Sequence, residues 1–442
     1  MLNGKKLSLS KLLTVGVVII LTVVPFFAFL TVWAASFSGH YTAWRLWDEL
    51  ILLLLMVGGV VFLLKDKAMW KRLKSQHVVW LILIYALYEL IIGAISLIKH
   101  DVSLKALGYG LIVDLRFPLF FLVCLIVGER NSWIKEHWRS ILLIPASVVV
   151  FFGVAEHFLL PYDFLKHFGY GLSTIPPYET INQNLHYTRI ISTMRGANPL
   201  GAYLIVIISA LGALLVRRPP RKMMVTYGLL FIAALLSMFY SYSRGAWIGA
   251  GVSLAIVVVL NIKNKRTLKR LGLAAGTGII VIGLALFSFR NSPRLQDTIF
   301  HTDTTHHTAQ TSNTAHLSAL KNGLKDVVHQ PFGDGPGTAG PASVYNNHPA
   351  RIAEDYFIQV AQEVGWFGVI VFLAINWLVA KGLWLKRRDS LSLALLASLV
   401  GISLVGLLSH VWVDDTLSYL WWGLAGVALS GYFRKNEPST SK

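Results

Sequence analysis

Apolar runs of roughly twenty residues return along the whole chain, each set off from the next by a short polar or basic burst. That recurrence restricts the fold more than any motif does. A helix of such length crosses a hydrocarbon core about 30 Å thick, and core helices of soluble proteins do not repeat in this way. Inside a bilayer every backbone group must be satisfied internally, so runs of this length become helices. The composition agrees. Only 14% of the 442 residues are charged and 55% are hydrophobic, with a mean hydropathy of +0.59. A soluble surface needs about 25% charged residues. The expected fold class is all-α: one polytopic membrane domain over 1–442, with apolar spans near 13–34, 46–64, 78–98, 105–127, 139–160, 198–216, 223–240, 246–261, 270–289, 364–385, 390–412 and 415–433.

The basic residues alternate with these spans. One set of connections holds Lys65, Lys67, Lys71, Arg72 and Lys74; Arg130, Lys135 and Arg139; Arg217, Arg218, Arg221 and Lys222; Lys263, Lys265, Arg266, Lys269 and Arg270; Lys386, Arg387 and Arg388; and Arg434 and Lys435. The short connections of the other set hold only Arg45, Lys99, Lys105 and Arg244. By the positive-inside rule, the first set and both termini are cytoplasmic. The net charge of +18 is therefore topological, and it excludes nucleic acid as the expected partner. The first run, after Lys5, Lys6 and Lys11, is too long for a signal-peptide core and reads as an uncleaved span. The only cysteine, Cys124, lies within a span, so no disulfide framework is possible.

Two connections on the expected outer side are long: 161–197 and 290–363. Long loops on a rigid scaffold usually carry function. In the second, Leu317, Leu320, Leu324 and Val327 recur at helical spacing, which predicts a helix over 313–330. The Pro and Gly residues of PFGDGPGTAGPAS then stop it, and the chain becomes helical again from about Ile352.

Three constellations carry candidate chemistry. SYSRGAWIG (241–249) makes a tight hairpin that exposes the Arg244 guanidinium beside backbone N–H groups, a combination suited to phosphate or diphosphate. A snorkelling arginine with an interfacial tryptophan is the alternative reading. RIISTMRGANPLG (189–201) brings Arg189 and Arg195 to the same side, ahead of a helix start at Asn198 and Pro199 whose free N–H groups attract anions. These arginines could equally pair with nearby acids or headgroups. Third, Glu354 and Asp355 are carboxylates just outside the bilayer on the arginine side, suited either to general-base catalysis or to a solvated helix start.

Other polar residues are less specific. Asp114 and Arg116 fall within a span, where each charge costs about 2.5–3.5 kcal/mol, so they line a cavity or pair internally. His301, His306 and His307 lack the carboxylate or cysteine company of a metal site. His316 and His348 share their loop and are candidates to touch an acceptor. Asp414 and Asp415 precede the last span, as helix caps or as a cation or sugar contact. No Walker, zinc or Asp-x-Asp pattern occurs, so no cofactor is expected.

In this order, the segments 189–201, 241–249 and EDYFIQVAQEVGWFG (354–368) resemble conserved blocks of the O-antigen ligase/O-antigen polymerase superfamily. The likeness runs from about Arg189 to the end of the chain; the earlier spans match in topology alone. The resemblance implies a GT-C-like, metal-independent, inverting glycosyltransferase of the bacterial cytoplasmic membrane. Its donor is a glycan on undecaprenyl diphosphate, and its acceptor a hydroxyl of a glycan, lipid or cell-wall component. It also implies that Arg189 and Arg244, with Arg195, hold the diphosphate. Ligases of the family commonly place a His-Asn pair where Glu354 and Asp355 stand here, ahead of Gly365 and Gly368. This departure fits a polymerase, or a ligase for an acceptor other than lipid A core, with Glu354 as candidate base. The rival reading from another class is a twelve-span exporter of lipid-linked glycan. The span count suits it, but the chain contains no internal repeat.

Overall fold

A computed structural model of the chain describes residues 8–181, 183–262, 264–292, 295–300 and 312–431. His301, His306, His307, Lys263 and the two termini lie outside the described residues, and of His316 only the backbone is described.

Each expected span falls on a helix. In chain order these are α1 (Leu9–Ser38), α2 (Tyr41–Lys65), α3 (His77–Ile98), α4 (Leu104–Arg130) and α5 (Trp133–Phe158), then α6 (Ala197–Leu215), α7 (Arg221–Tyr240), α8 (Arg244–Asn261) and α9 (Lys265–Ser288). After the long loop, which contains α10 (Ser312–His329), come α11 (Tyr356–Leu385), α12 (Ser390–Gly406) and α13 (Asp415–Leu429). Among the described residues, nine helices are long and apolar enough to cross a membrane; α12 and α13, at 17 and 15 residues, are shorter.

Among the described residues the all-α expectation meets one exception, a two-stranded antiparallel sheet of β1 (Glu179–Ile181) and β2 (Asn184–Arg189) between α5 and α6. Strands of three and six residues are too short to leave a period that sequence could show.

Burial orders the bundle. Every residue of α13 is buried, including Tyr419, Trp421 and Trp422, because a helix that is apolar all round belongs inside. It packs on α4, while α6 lies against α8 and α12. Small residues allow that close approach: a Cβ on Gly249 of α8 would stand 2.7 Å from the Gly401 carbonyl of α12, and Ser253 donates to the Ala397 carbonyl at 3.0 Å. On α2, α3 and α7 the side chains of Leu53, Leu54, Leu87, Leu229 and Ile232 are exposed, the surface that lipid covers.

The connections α3–α4, α5–α6, α7–α8, α9–α11 and α12–α13 meet at one end of the bundle, the loop end. There the glycine-rich segment 331–343 runs between α3, α4 and α11. Ser103 donates to the Tyr345 carbonyl at 2.9 Å, and a Cβ on Gly335 would stand 2.7 Å from Ser96. Helix α11 begins at Tyr356 and kinks at Gly365 (φ 60°, ψ −170°), where the Pro331 carbonyl comes too close for a side chain. The Gln362 and Glu363 carbonyls near the kink accept from Asp334 N at 2.9 Å and Gly335 N at 2.8 Å, and Trp366 N donates to Pro331.

Candidate functional site

The α7–α8 hairpin is locked by its own side chains. Ser241 Oγ donates to the Met238 carbonyl at 2.7 Å and accepts from Ser243 N at 3.3 Å. Trp247 Nε1 donates to the same carbonyl at 2.8 Å while its ring stacks on Phe239. Tyr242 takes a left-handed φ of 50°, which turns the chain so that Arg244 opens α8. Arg244 donates to the Ile299 carbonyl at 2.9 Å.

Arg189, at the end of β2, is tied into the same hairpin. Its Nε donates to the Ser241 carbonyl at 2.9 Å, one terminal nitrogen to Asn198 Oδ1 at 2.7 Å, and the other pairs with Glu179 at 3.1 Å. Burial lowers its pKa and Glu179 opposes that shift. Glu179, which sequence reasoning missed, also accepts from Ala197 N at 3.3 Å. The helix start expected to attract an anion therefore already holds the chain's own carboxylate.

Arg189, Arg244 and Glu354 line one cavity of ≈ 550 Å³. Asn198, Tyr242, Ser243 and Gly245 continue its polar wall, and Ile248, Leu317, Leu320, Val405, Leu407 and Leu408 form an apolar one. Glu354 reaches it from a left-handed backbone (φ 57°), a conformation that costs a non-glycine residue about 1–2 kcal/mol. The segment around it is held by Arg351, another residue missed in the sequence, which bonds Asp334 at 2.6 Å, Gln330 at 2.6 Å and Asp326 at 3.2 Å. Asp355 does not line the cavity. It caps α11, accepting from Ile358 N at 2.9 Å, and burial raises its pKa against the pull of the Ile358 and Phe357 N–H groups.

The other candidates lie elsewhere. Arg195 faces Asp414 at 3.9 Å, in a separate depression with Tyr41 and Arg45, and Asp414 caps α13 by accepting from Leu417 N. His348 is exposed, 3.3 Å from the Asp101 carbonyl at the α3–α4 turn.

Deeper in the bundle Arg116 pairs with Glu49 at 3.1 Å and with Asp415, and donates to the Val413 carbonyl. Asp48, Glu49 and Asp415 bring carboxylate oxygens within 4.8 Å of one another, a donor set that suits a hard cation; Arg116 already supplies one positive charge there. Glu363, buried beyond Asp355 on α11, accepts from Gly337 N at 2.8 Å and from Gln359 Nε2 at 3.1 Å. The sequence predicts helix here from about Ile352, and Glu363 lies on it; what the sequence does not show is the docked glycine segment that supplies its Gly337 N–H partner.

Fold and cavity together define a polytopic helical membrane protein with a cationic pocket at one end of its bundle. Residues 229–373, from α7 into α11, match the family model described as O-antigen ligase, which supports placing the chain in the O-antigen ligase superfamily. Arg244 and Glu354 fall within the match; Arg189, Arg195 and Asp414 fall outside it. No curated protein matches the chain.

Proposed function

We propose that this protein is a glycosyltransferase of the bacterial cytoplasmic membrane that joins surface polysaccharide by ligation or polymerisation. The loop end faces outward, both termini are cytoplasmic, and the donor is a glycan on undecaprenyl diphosphate. The observation that carries the reading is the convergence of Arg189, Arg244 and Glu354 on one cavity. Two guanidiniums suit a diphosphate, and the exposed apolar side chains of Ile248, Leu407 and Leu408 that also line the cavity suit a polyprenyl tail.

In this mechanism an acceptor hydroxyl attacks the anomeric carbon from the face opposite the diphosphate. The new C–O bond forms as the bond to the diphosphate breaks, with inversion, and the leaving diphosphate takes the electron pair. Arg189 and Arg244 stabilise that charge without a metal, and Glu354 takes the hydroxyl proton. The acceptor is a glycan, lipid or cell-wall hydroxyl.

Purified protein in detergent, given lipid-linked glycan and no second compartment, is expected to produce a longer or transferred glycan. An exporter would leave the donor chemically intact in that assay, and that result would end the transferase reading.

A further inference from the structure

The cavity lining matches two of the donor's three parts and leaves the third open. Arg189 and Arg244 suit the diphosphate, and Ile248, Leu407 and Leu408 suit the polyprenyl tail. The first sugar is joined to the diphosphate through one bridging oxygen, so it must sit against lining that adjoins the arginines. The polar side chains there are Asn198, Tyr242, Ser243 and Glu354. Asn198 is engaged, its Oδ1 accepting from Arg189 at 2.7 Å, and Ser243 is buried. Glu354 is assigned to the acceptor's proton. Tyr242 remains: half-buried, in the same hairpin as Arg244, and the one aromatic side chain among the described lining residues.

Aromatic rings near the ends of membrane helices have an ordinary explanation in the interfacial belt of Tyr and Trp. Phe239 fits it, with an exposed ring. Tyr242 does not. Its left-handed φ of 50°, unfavourable for a bulky side chain, puts the residue on the cavity lining. Such a backbone persists only where the surroundings over-determine it. Here Phe239 lies 6.2 Å from the Tyr242 ring, tilted by 47°, and Tyr240 lies 6.4 Å away, edge-on at 84°. Phe239 is itself stacked on Trp247 at 5.6 Å, and the Trp247 Nε1 is tied to the Met238 carbonyl. The Tyr242 ring is thus held before any ligand arrives. Its hydroxyl has no hydrogen-bond partner among the described residues. Burial first, then the Tyr240 and Tyr187 phenols beside it, raises its pKa, so the hydroxyl stays a donor. A pyranose complements such a group. Its C–H face carries partial positive charge toward the negative face of the ring, and its rim hydroxyls need partners.

We propose that Tyr242 is the specificity contact for the donor's first sugar: its ring stacks on the C–H face of the pyranose, and its phenol hydrogen-bonds a hydroxyl at the rim. The inference rests on the lipid-diphosphate donor of the function proposed above.

Binding to the purified full-length protein in detergent tests it with two probes, undecaprenyl diphosphate and undecaprenyl-diphosphate-linked glucose. Glucose suits the test because its ring hydroxyls are equatorial and leave C–H on the ring faces. Tyr242→Asn removes the ring with a residue that tolerates the left-handed turn. It is expected to weaken the glucose-bearing lipid about tenfold and the bare lipid by less than about twofold. Tyr242→Phe keeps the ring and should lose only about threefold with the glucose-bearing lipid. Independently, meta-fluorotyrosine is incorporated in place of tyrosine, and the Tyr242 signal is assigned by its absence from Tyr242→Phe. Its ¹⁹F shift on adding the glucose-bearing lipid should exceed the shift with the bare lipid. Equal weakening of both probes, unchanged binding of the glucose-bearing lipid in a folded Tyr242→Asn protein, a loss in Tyr242→Phe as large as in Tyr242→Asn, or equal ¹⁹F shifts overturns the inference alone. If Tyr242→Asn does not fold, the ¹⁹F shifts decide. A wild type that binds neither probe overturns the donor assignment, and this inference with it. A wild type that binds both but transfers no glycan ends the transferase reading and leaves the sugar contact standing.

Discussion

Glu354 is the residue on which the proposed chemistry turns, and two substitutions at one position separate its possible roles. Glu354→Gln keeps size and hydrogen bonding but removes the basicity. If the carboxylate takes the acceptor's proton, turnover falls about 10²–10⁴-fold, equivalent to about 2.7–5.4 kcal/mol of barrier, while donor binding stays nearly normal. Glu354→Gly uses the backbone instead. The left-handed φ of 57° costs the glutamate about 1–2 kcal/mol, and glycine returns about 0.5–1 kcal/mol of that as chain entropy. The backbone contribution alone is close to neutral or a gain of up to about 1.5 kcal/mol, and the contacts of the Glu354 side chain, lost in this variant, count against it. Glycine at 354 should therefore lose turnover with at most a small change of melting temperature in detergent, the backbone gain offsetting the lost side-chain contacts. The assays are thermal denaturation of the purified protein, donor binding, and glycan transfer under saturating donor. A carboxylate whose task is to brace the loop predicts the opposite: a lower melting temperature and weakened donor binding in both variants. Turnover of Glu354→Gln within a few-fold of wild type refutes the reasoning, and Glu354 is then not the base.

Arg244→Ala should lose at least about tenfold in turnover in a folded protein, and Arg244→Lys should recover little, because an ammonium cannot form the bidentate fork; unchanged turnover in Arg244→Ala would count against the diphosphate role. A cysteine at Ser312, the start of α10, should react with a membrane-impermeant maleimide in intact cells; labelling only after lysis would reverse the topology. His410 has a folded pKa of about 4 against 6.5 when free, so below about pH 6.5 the unfolded chain binds a proton that the folded ring, facing Arg195 and Gln359, does not. Stability is thus lost as pH falls from about 6.5 toward 4, by at most about 3 kcal/mol, and the drop in melting temperature between pH 7 and pH 5 should shrink in His410→Gln.

The order and placement of the apolar helices could be read before any coordinates because the signal is local: a span announces itself by its own hydropathy, and its neighbours by their lysines and arginines. The loop helix was legible for the same reason, with Leu320 and Val327 facing α11 at the expected spacing. Arg189, Arg244 and Glu354 could be named, since each stands in a polar stretch that leads into an apolar helix. Their convergence could not, because it depends on contacts between residues far apart in the chain.

What the sequence by itself determined is the class of molecule, through the energetics of putting a backbone and its charges into hydrocarbon. Tertiary structure decided which polar groups share a site. Arg189 reaches the Ser241 carbonyl across 52 residues, Arg116 reaches Asp415 across 299, and His410 reaches Gln359 across 51. The same packing separated Arg195 from the other two arginines and turned Asp355 into a helix cap. It also bent α11 at Gly365, because the docked glycine segment takes up the backbone groups that the kink leaves open. A hydropathy run ends where water becomes an equally good partner, and only the folded loop removes that water.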